Sequence, residues 1–374
     1  MTQTKLTSRQ RFVNACQCQP VDRPPIWLMR QAGRVLPEYR KLKETYTFVQ
    51  LVQNPELAVE VTLQPVRRFG FDAAILFSDI LVIPEALGQT YHFKETGGVQ
   101  MDFAVTSRAD IEKLSIERIV EKLSYVDKAL RILRKELGDE TALIGFSGSP
   151  WTLATFMMEG ASVPKYSRAL ALFREDPKTY FALAEKLTAA VTAYLQMQIA
   201  AGVDAVQLFD SHGGHLAGTE FQEASGRWMK EIIGSLGAPA NGAASSVGVQ
   251  ASACSGDTLK RELQRAAPII VFSLGTHGNW PDLVATGANV IGIDWHTSMA
   301  TARKLISEGI GLQGNLSPTM LSDVSAADAA CAAHLVLEAM RGRAGHIFNL
   351  GHGVTPGAKL ENIYAVVDTV KNFR

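Results

Sequence analysis

Eight short apolar runs punctuate the chain, at 26–29, 72–77, 142–146, 205–209, 268–272, 289–293, 310–313 and 346–349. Each is continuous rather than alternating, the pattern of strands covered on both faces of a parallel sheet. Longer stretches with helical periodicity separate them, most clearly 111–137, 177–201, 326–340 and 360–373. Eight strands each followed by a helix predict an α/β fold, a single (β/α)8 TIM barrel spanning 1–374 as one domain. An open doubly wound sheet is the competitor, and a strand count alone does not separate the two. Two stretches leave the repeat. Residues 84–102 read as a small hairpin inserted after the second strand, and 237–257, rich in Gly, Ala and Ser, reads as an irregular surface excursion.

The residues just beyond the runs are more informative than the runs themselves. The first run leads into Arg30 and Gln31, the second into Ser78 and Asp79, and the fourth into Asp210, Ser211 and His212. The sixth leads to Asp294, Trp295 and His296, the seventh to Asn315 and the last to Gly351 and His352. In a barrel these exits converge on one face, where loops build the active site. Any one Ser, Asp or Asn reads equally well as a helix cap; polar residues at six exits together point to a site.

Composition narrows the chemistry. Lys plus Arg and Asp plus Glu number 37 each, so no global basic field suggests nucleic acid, and an anionic ligand must be held by local charge. No run approaches the length of a membrane span, and the opening MTQTKLTSRQ lacks an apolar leader core. Cys16, Cys18, Cys254 and Cys331 form no metal-ligand or disulfide spacing, which predicts a cytoplasmic protein with reduced thiols. Neither a dinucleotide fingerprint nor a phosphate loop is present, so no nucleotide is implied.

Three features carry candidate chemistry. Arg30 and Arg34 lie four apart around Gly33, just beyond a buried strand, where two guanidinium forks pointing the same way suit a ligand with several carboxylates. Asp79 lies among apolar neighbours in FSDIL, so it is either a buried structural acid or a fixed negative charge facing ligand N–H groups. His352 stands between two glycines in LGHGV, which let backbone and ligand approach closely. His212 and His215 have the spacing of a metal pair, but no further ligand at recognisable spacing completes a site.

PPIWLMRQAGRVLPEYR at 24–40 resembles the N-terminal signature of the uroporphyrinogen decarboxylase family. FSDIL, PWTLATFMMEG, FDSHGGHL, GIDW, LQGN and FNLGHGV match that family in order, from about residue 20 onward. The resemblance implies a (β/α)8 barrel, a homodimer, no metal or organic cofactor, and conversion of uroporphyrinogen to coproporphyrinogen by four acetate decarboxylations. It implies Asp79, Arg30 and Arg34 as catalytic groups, with substrate contacts from Gln31, Ala32, Gly33, Lys43, Phe77, Ile80, Phe156, Ser211 and His352. Two positions depart from the family: Phe156 replaces a tyrosine and lacks its hydroxyl, and Lys43 replaces an arginine, keeping the charge without the fork. Two rivals remain for these residues. One is a zinc-dependent methyltransferase on the same barrel, which would need thiolate ligands at the strand exits. The other is a barrel that binds polycarboxylates without turnover.

Overall fold

The computed structural model describes residues 6–94, 97–237, 267–276 and 278–374. Nine strands lie among them: β1 (Ala73–Ile75), β2 (Tyr91–Phe93), β3 (Val99–Met101), β4 (Ala142–Gly148), β5 (Ala205–Asp210), β6 (Ile269–Ser273), β7 (Val290–Gly292), β8 (Gly311–Leu316) and β9 (His346–Leu350). Seven form one curled parallel sheet in the order β1-β4-β5-β6-β7-β8-β9, every residue of which is buried, as the unbroken apolar runs require. The other two, β2 and β3, pair antiparallel as the hairpin expected within 84–102. Most of the 237–257 excursion lies outside the described residues.

The first expected strand, 26–29, survives only as an isolated parallel bridge between Ile26 and Phe348 of β9. Side chains replace most of its ladder. Phe348 N donates to Pro25 O (2.8 Å) and Asp72 N to Ile26 O (2.8 Å), so the segment touches both edges of the sheet. Of its own amides only Trp27 N reaches the sheet backbone, at Phe348 O (3.4 Å); the others go to side chains, Ile26 N to Asp72 Oδ2 (2.8 Å), Leu28 N to Gln31 Oε1 (3.0 Å) and Met29 N to Asn349 Oδ1 (2.9 Å). Pro24 and Pro25 have no N–H to give a ladder in any case.

Sequence punctuation accounts for most helices. Ser149 caps Pro150–Glu159 by accepting from Thr152 N, and Asp176 caps Pro177–Ala200 by accepting from Thr179 N, with proline at the first turn of each. The periodic stretch 111–137 is not one helix. It breaks into Arg108–Glu112, Ile119–Lys122 and Ser124–Leu137. Ser115 N is drawn to Leu87 O (2.9 Å) and Arg118 takes a left-handed φ of 59°, so a tertiary bond overrides the local pattern. Inside the sheet, Trp27 Nε1 donates to Gln313 Oε1 (3.0 Å) and Gln313 Nε2 to Gln207 Oε1 (3.1 Å), a buried polar thread through an otherwise apolar interior.

Asp72, with a fully buried side chain, accepts from Arg11 Nη1 (2.8 Å), Arg23 Nη1 (2.7 Å), Arg23 Nη2 (2.9 Å) and Ile26 N. Asp72→Asn removes the charge while two guanidinium groups stay in place. It is expected to cost roughly 3–5 kcal/mol of folding stability, read by chemical denaturation; a loss below about 1 kcal/mol, the range of an exposed pair, would refute a structural role for this cluster.

Candidate active site

The chain leaves the 25–29 segment through a strained turn. Arg30 adopts φ 59°, unusual for a residue with a side chain, and Gln31 N closes the turn on Leu28 O (2.9 Å). Gln31 then folds inward, its Oε1 on Leu28 N and its Nε2 on Ala73 O (3.1 Å). Its side chain therefore holds the turn, and it does not line the cavity that opens beyond.

That cavity, of about 640 Å³, lies where the sheet strands end. Arg30, Ala32, Gly33, Arg34, Lys43, Phe77, Asp79, Ile80, Ser211 and His352 all border it, bringing together side chains 322 positions apart in the chain (352 less 30). Of the residues the sequence singles out, Gln31 and Phe156 stand apart. Phe156 packs with Ile80 and Tyr91 against Leu81, Val99 and Met101, behind the cavity wall. Sequence reasoning missed the aromatic side of the cavity: Tyr39 packs on Phe77 (ring centres 5.6 Å), Phe77 on Phe48 (5.5 Å) and Phe48 on Phe93 (5.1 Å). The signal was the hairpin itself, whose Phe93 and Lys94 border the cavity.

Asp79 Oδ1 accepts from Leu81 N (2.8 Å). The side chain is half-buried at the cavity wall. Burial raises its pKa above the ordinary aspartate value, against the opposing pull of the Leu81 amide and the Arg30 charge. The Arg30 guanidinium has the converse environment: burial lowers its pKa, Asp79 pushes back and Arg34 adds to the lowering. Among the described residues neither Arg30 nor Arg34 makes a protein hydrogen bond or ion pair, so both forks are open to a ligand.

His352 is held neutral, its pKa lowered to about 4, first by burial and then by the nearby Arg30 charge. The glycines beside it are steric requirements. A Cβ on Gly353 would lie 2.8 Å from Arg30 Cγ and closer still to Cδ; one on Gly351 would lie 2.9 Å from the Asp294 carbonyl carbon. Gly353 therefore gives the Arg30 stem its channel.

Other strand-exit residues serve structure. Asp210 is fully buried and accepts from Ser149 Oγ (2.6 Å), Thr152 Oγ1 (3.1 Å) and Ser273 Oγ (2.7 Å). Asp294 accepts from Gly275 N (2.8 Å) and His296 N (3.0 Å). Both ring nitrogens of His212 are taken, Nδ1 with Thr155 Oγ1 (2.6 Å) and Nε2 with the Tyr166 hydroxyl (2.9 Å). Thr155 spends its proton on Thr152 O (2.7 Å), so Nδ1 carries the histidine proton and Nε2 accepts from Tyr166. With no free nitrogen, His212 is not half of a metal pair with His215. Among the described residues no three His, Cys, Asp or Glu side chains converge as a metal site; Cys254 lies outside them. No helix among them is long and apolar enough to cross a membrane.

Residues 7–373 match the model of a family described as Uroporphyrinogen decarboxylase (URO-D). The chain is 42% identical over 367 residues to the uroporphyrinogen decarboxylase of Magnetococcus marinus, covering 98% of this chain and 97% of that one. It is 44% identical over 349 residues to the enzyme of that name from Ectopseudomonas mendocina, covering 92% of each. Among solved structures, a methyltransferase from Methanosarcina mazei superposes with a TM-score of 0.77 over 98% of this chain and 99% of that one, at 18% identity, a likeness of fold alone.

Gly353→Ala is expected to displace Arg30 and weaken binding of a polycarboxylate porphyrin about tenfold, with the melting temperature nearly unchanged. Titration calorimetry beside a thermal melt checks both halves; unaltered affinity would show that Arg30 does not need that channel.

Proposed function

The chain belongs to the uroporphyrinogen decarboxylase family, and from that premise we propose how its own residues carry out the carboxy-lyase reaction on uroporphyrinogen, four acetate arms becoming methyl groups of coproporphyrinogen. The single observation that carries the reading is the cavity's charge layout: one half-buried acid, Asp79, together with two uncommitted guanidinium groups, Arg30 and Arg34.

Each step breaks the bond between the acetate methylene and its carboxylate. The bond's electron pair needs a sink, which a pyrrole supplies once a proton has been added to a ring carbon. CO₂ leaves, the ring is neutralised, and a second proton transfer, from solvent to the exocyclic carbon with return of the first, leaves a methyl group; one proton is consumed overall. In this reading Asp79 faces the pyrrole N–H groups and stabilises the cationic ring, where a fixed charge at low dielectric acts most strongly. Arg30 and Arg34 hold peripheral carboxylates and orient the reacting arm, with Lys43 and Ser211 as further polar contacts. His352, neutral above about pH 4, donates or accepts a hydrogen bond rather than adding charge. The backbone around Ala32 and Gly33, with Phe77 and Ile80, shapes the wall on which the ring rests, and Gln31 acts through the turn it braces. Phe156 fills the layer behind Ile80, so a role in substrate contact would require the wall to move.

Closure of the sheet belongs to the same proposal. The bridge from Ile26 to Phe348 and the bond from Asp72 N to Ile26 O support a closed (β/α)8 barrel with the 25–29 segment as its eighth stave, within a single domain. A homodimer in the cytoplasm, working without metal or organic cofactor, completes the proposal on the strength of the family resemblance.

The test is anaerobic incubation with enzymically generated uroporphyrinogen in the presence of chelator, products being resolved by carboxylate number. Stepwise appearance of species from seven to four carboxylates is expected; binding without CO₂ release would leave a non-catalytic barrel as the answer. Asp79→Asn should lower kcat/KM by about 10²–10³. Since Asp79 must be ionised, activity should fall as pH drops through its raised pKa, and the acid limb should lie above the usual aspartate range. An acid limb in that usual range would contradict this assignment.

A further inference from the structure

The cations bordering the cavity are unevenly placed. Arg30, Arg34 and Lys43 all come after the 25–29 segment in the chain and belong to one wall. The wall built by the β2–β3 hairpin contributes a single cationic side chain among the described residues, Lys94. That lysine is half-buried, and its ammonium makes no hydrogen bond or ion pair with any described residue. A solvated lysine on a loose loop would be the ordinary explanation, and the backbone argues against it. Lys94 N donates to Gly98 O (3.1 Å), and Lys94 O accepts from Gly97 N (3.0 Å). On the returning side Gly97 and Gly98 have φ of 90° and 83°, values that favour glycine. The stem is anchored in turn: Met101 N donates to Gly160 O (2.8 Å), Ser162 N to Val99 O (2.9 Å), and Phe93 sits edge-on to Phe48. The Lys94 backbone is thus tied to the hairpin stem while its side chain borders the cavity.

Uroporphyrinogen is a ring whose eight carboxylate arms leave its rim in every direction. With Asp79 facing the ring nitrogens, arms must point toward both walls. Those on the side of the first segment meet Arg30, Arg34 and Lys43, and those toward the hairpin meet no described cation but Lys94. We propose that Lys94 binds a peripheral carboxylate of the substrate, making the hairpin part of the binding site rather than a cover beside it. This rests on the decarboxylase reading of the cavity.

Michaelis parameters with uroporphyrinogen, measured anaerobically, test it in wild type, Lys94→Gln, Lys94→Glu and Lys94→Arg. In Lys94→Gln, KM should rise about tenfold while kcat stays within about twofold. Lys94→Glu should be worse and Lys94→Arg close to wild type. Added salt should raise the wild-type KM more steeply than that of Lys94→Gln, because a charge contact is already missing in the variant. Unchanged KM in both the Gln and Glu variants, beside an active wild type, would overturn the proposal. So would equal loss of kcat in the Gln and Arg variants, which would mean that the lysine supports the hairpin's structure. An inactive wild type would overturn the decarboxylase reading, and the proposal with it.

Discussion

One buried carboxylate fixes the geometry on which the site depends. Asp72 is fully buried just ahead of β1, where an unpaired charge would be prohibitive, and it is tolerated because Arg11, Arg23 and the Ile26 amide divide it among them. The carboxylate fastens the 25–29 segment to one edge of the sheet while Phe348 fastens it to the other. Both key charges of the cavity then lie a short way along the chain. Arg30 is four residues beyond Ile26, and Asp79 is seven beyond Asp72. Their separation is therefore set by a knot in the interior rather than by the loops that carry them, as a preorganised electrostatic site requires.

A neutral chain achieves a locally positive cavity by committing its other acids. Asp210 spends its oxygens on three hydroxyls, and Asp294 takes two backbone amides that shape neighbouring loops. Asp79 is left as the one acid among the described residues bordering the cavity, against Arg30, Arg34, Lys43 and Lys94. That imbalance suits a ligand with an N–H-rich centre and an anionic rim. Burial around Asp79 makes that charge act at a lower effective dielectric than it would on the surface.

The parallel sheet was legible because burial on both faces writes itself as unbroken apolar runs, and seven of eight became strands. The eighth, 26–29, is apolar in the same way but is held by Asp72, Gln31 and Asn349 side chains, a substitution that no periodicity reveals. The helical stretch 111–137 breaks for a related reason, since the bond from Ser115 N to Leu87 O is tertiary. In the site, position after a strand correctly brings Arg30, Asp79, Ser211 and His352 to one cavity, yet it cannot tell which exit residues turn inward. Asp210 and Asp79 look alike in sequence. Hydroxyls from β6 and from the segment entering the Pro150–Glu159 helix claim Asp210, and only the fold places them there. Gln31, next to Arg30, looks like a ligand contact on the same grounds, and only the fold reveals that its side chain is bonded to Leu28 N and Ala73 O.

The two sides of the cavity are stabilised in opposite ways, and this bears on how one site can process a substrate that changes charge. After β5 the loop is locked: His212 is a single tautomer between Thr155 and Tyr166, its carbonyl accepts from Trp151 Nε1 (3.0 Å), and its ring stacks near Phe156 (centres 4.9 Å). Burial lowers the His212 pKa to about 3, so this histidine stays uncharged near neutral pH. At the rim, Arg34 and Lys43 are exposed and Lys94 half-buried, all three on long stems without protein partners among the described residues. Long cationic stems can follow a carboxylate as it moves or can lose it altogether, at a cost mainly in side-chain entropy. A rigid centre with adaptable cations at the rim would suit a ligand whose number of peripheral carboxylates falls from step to step.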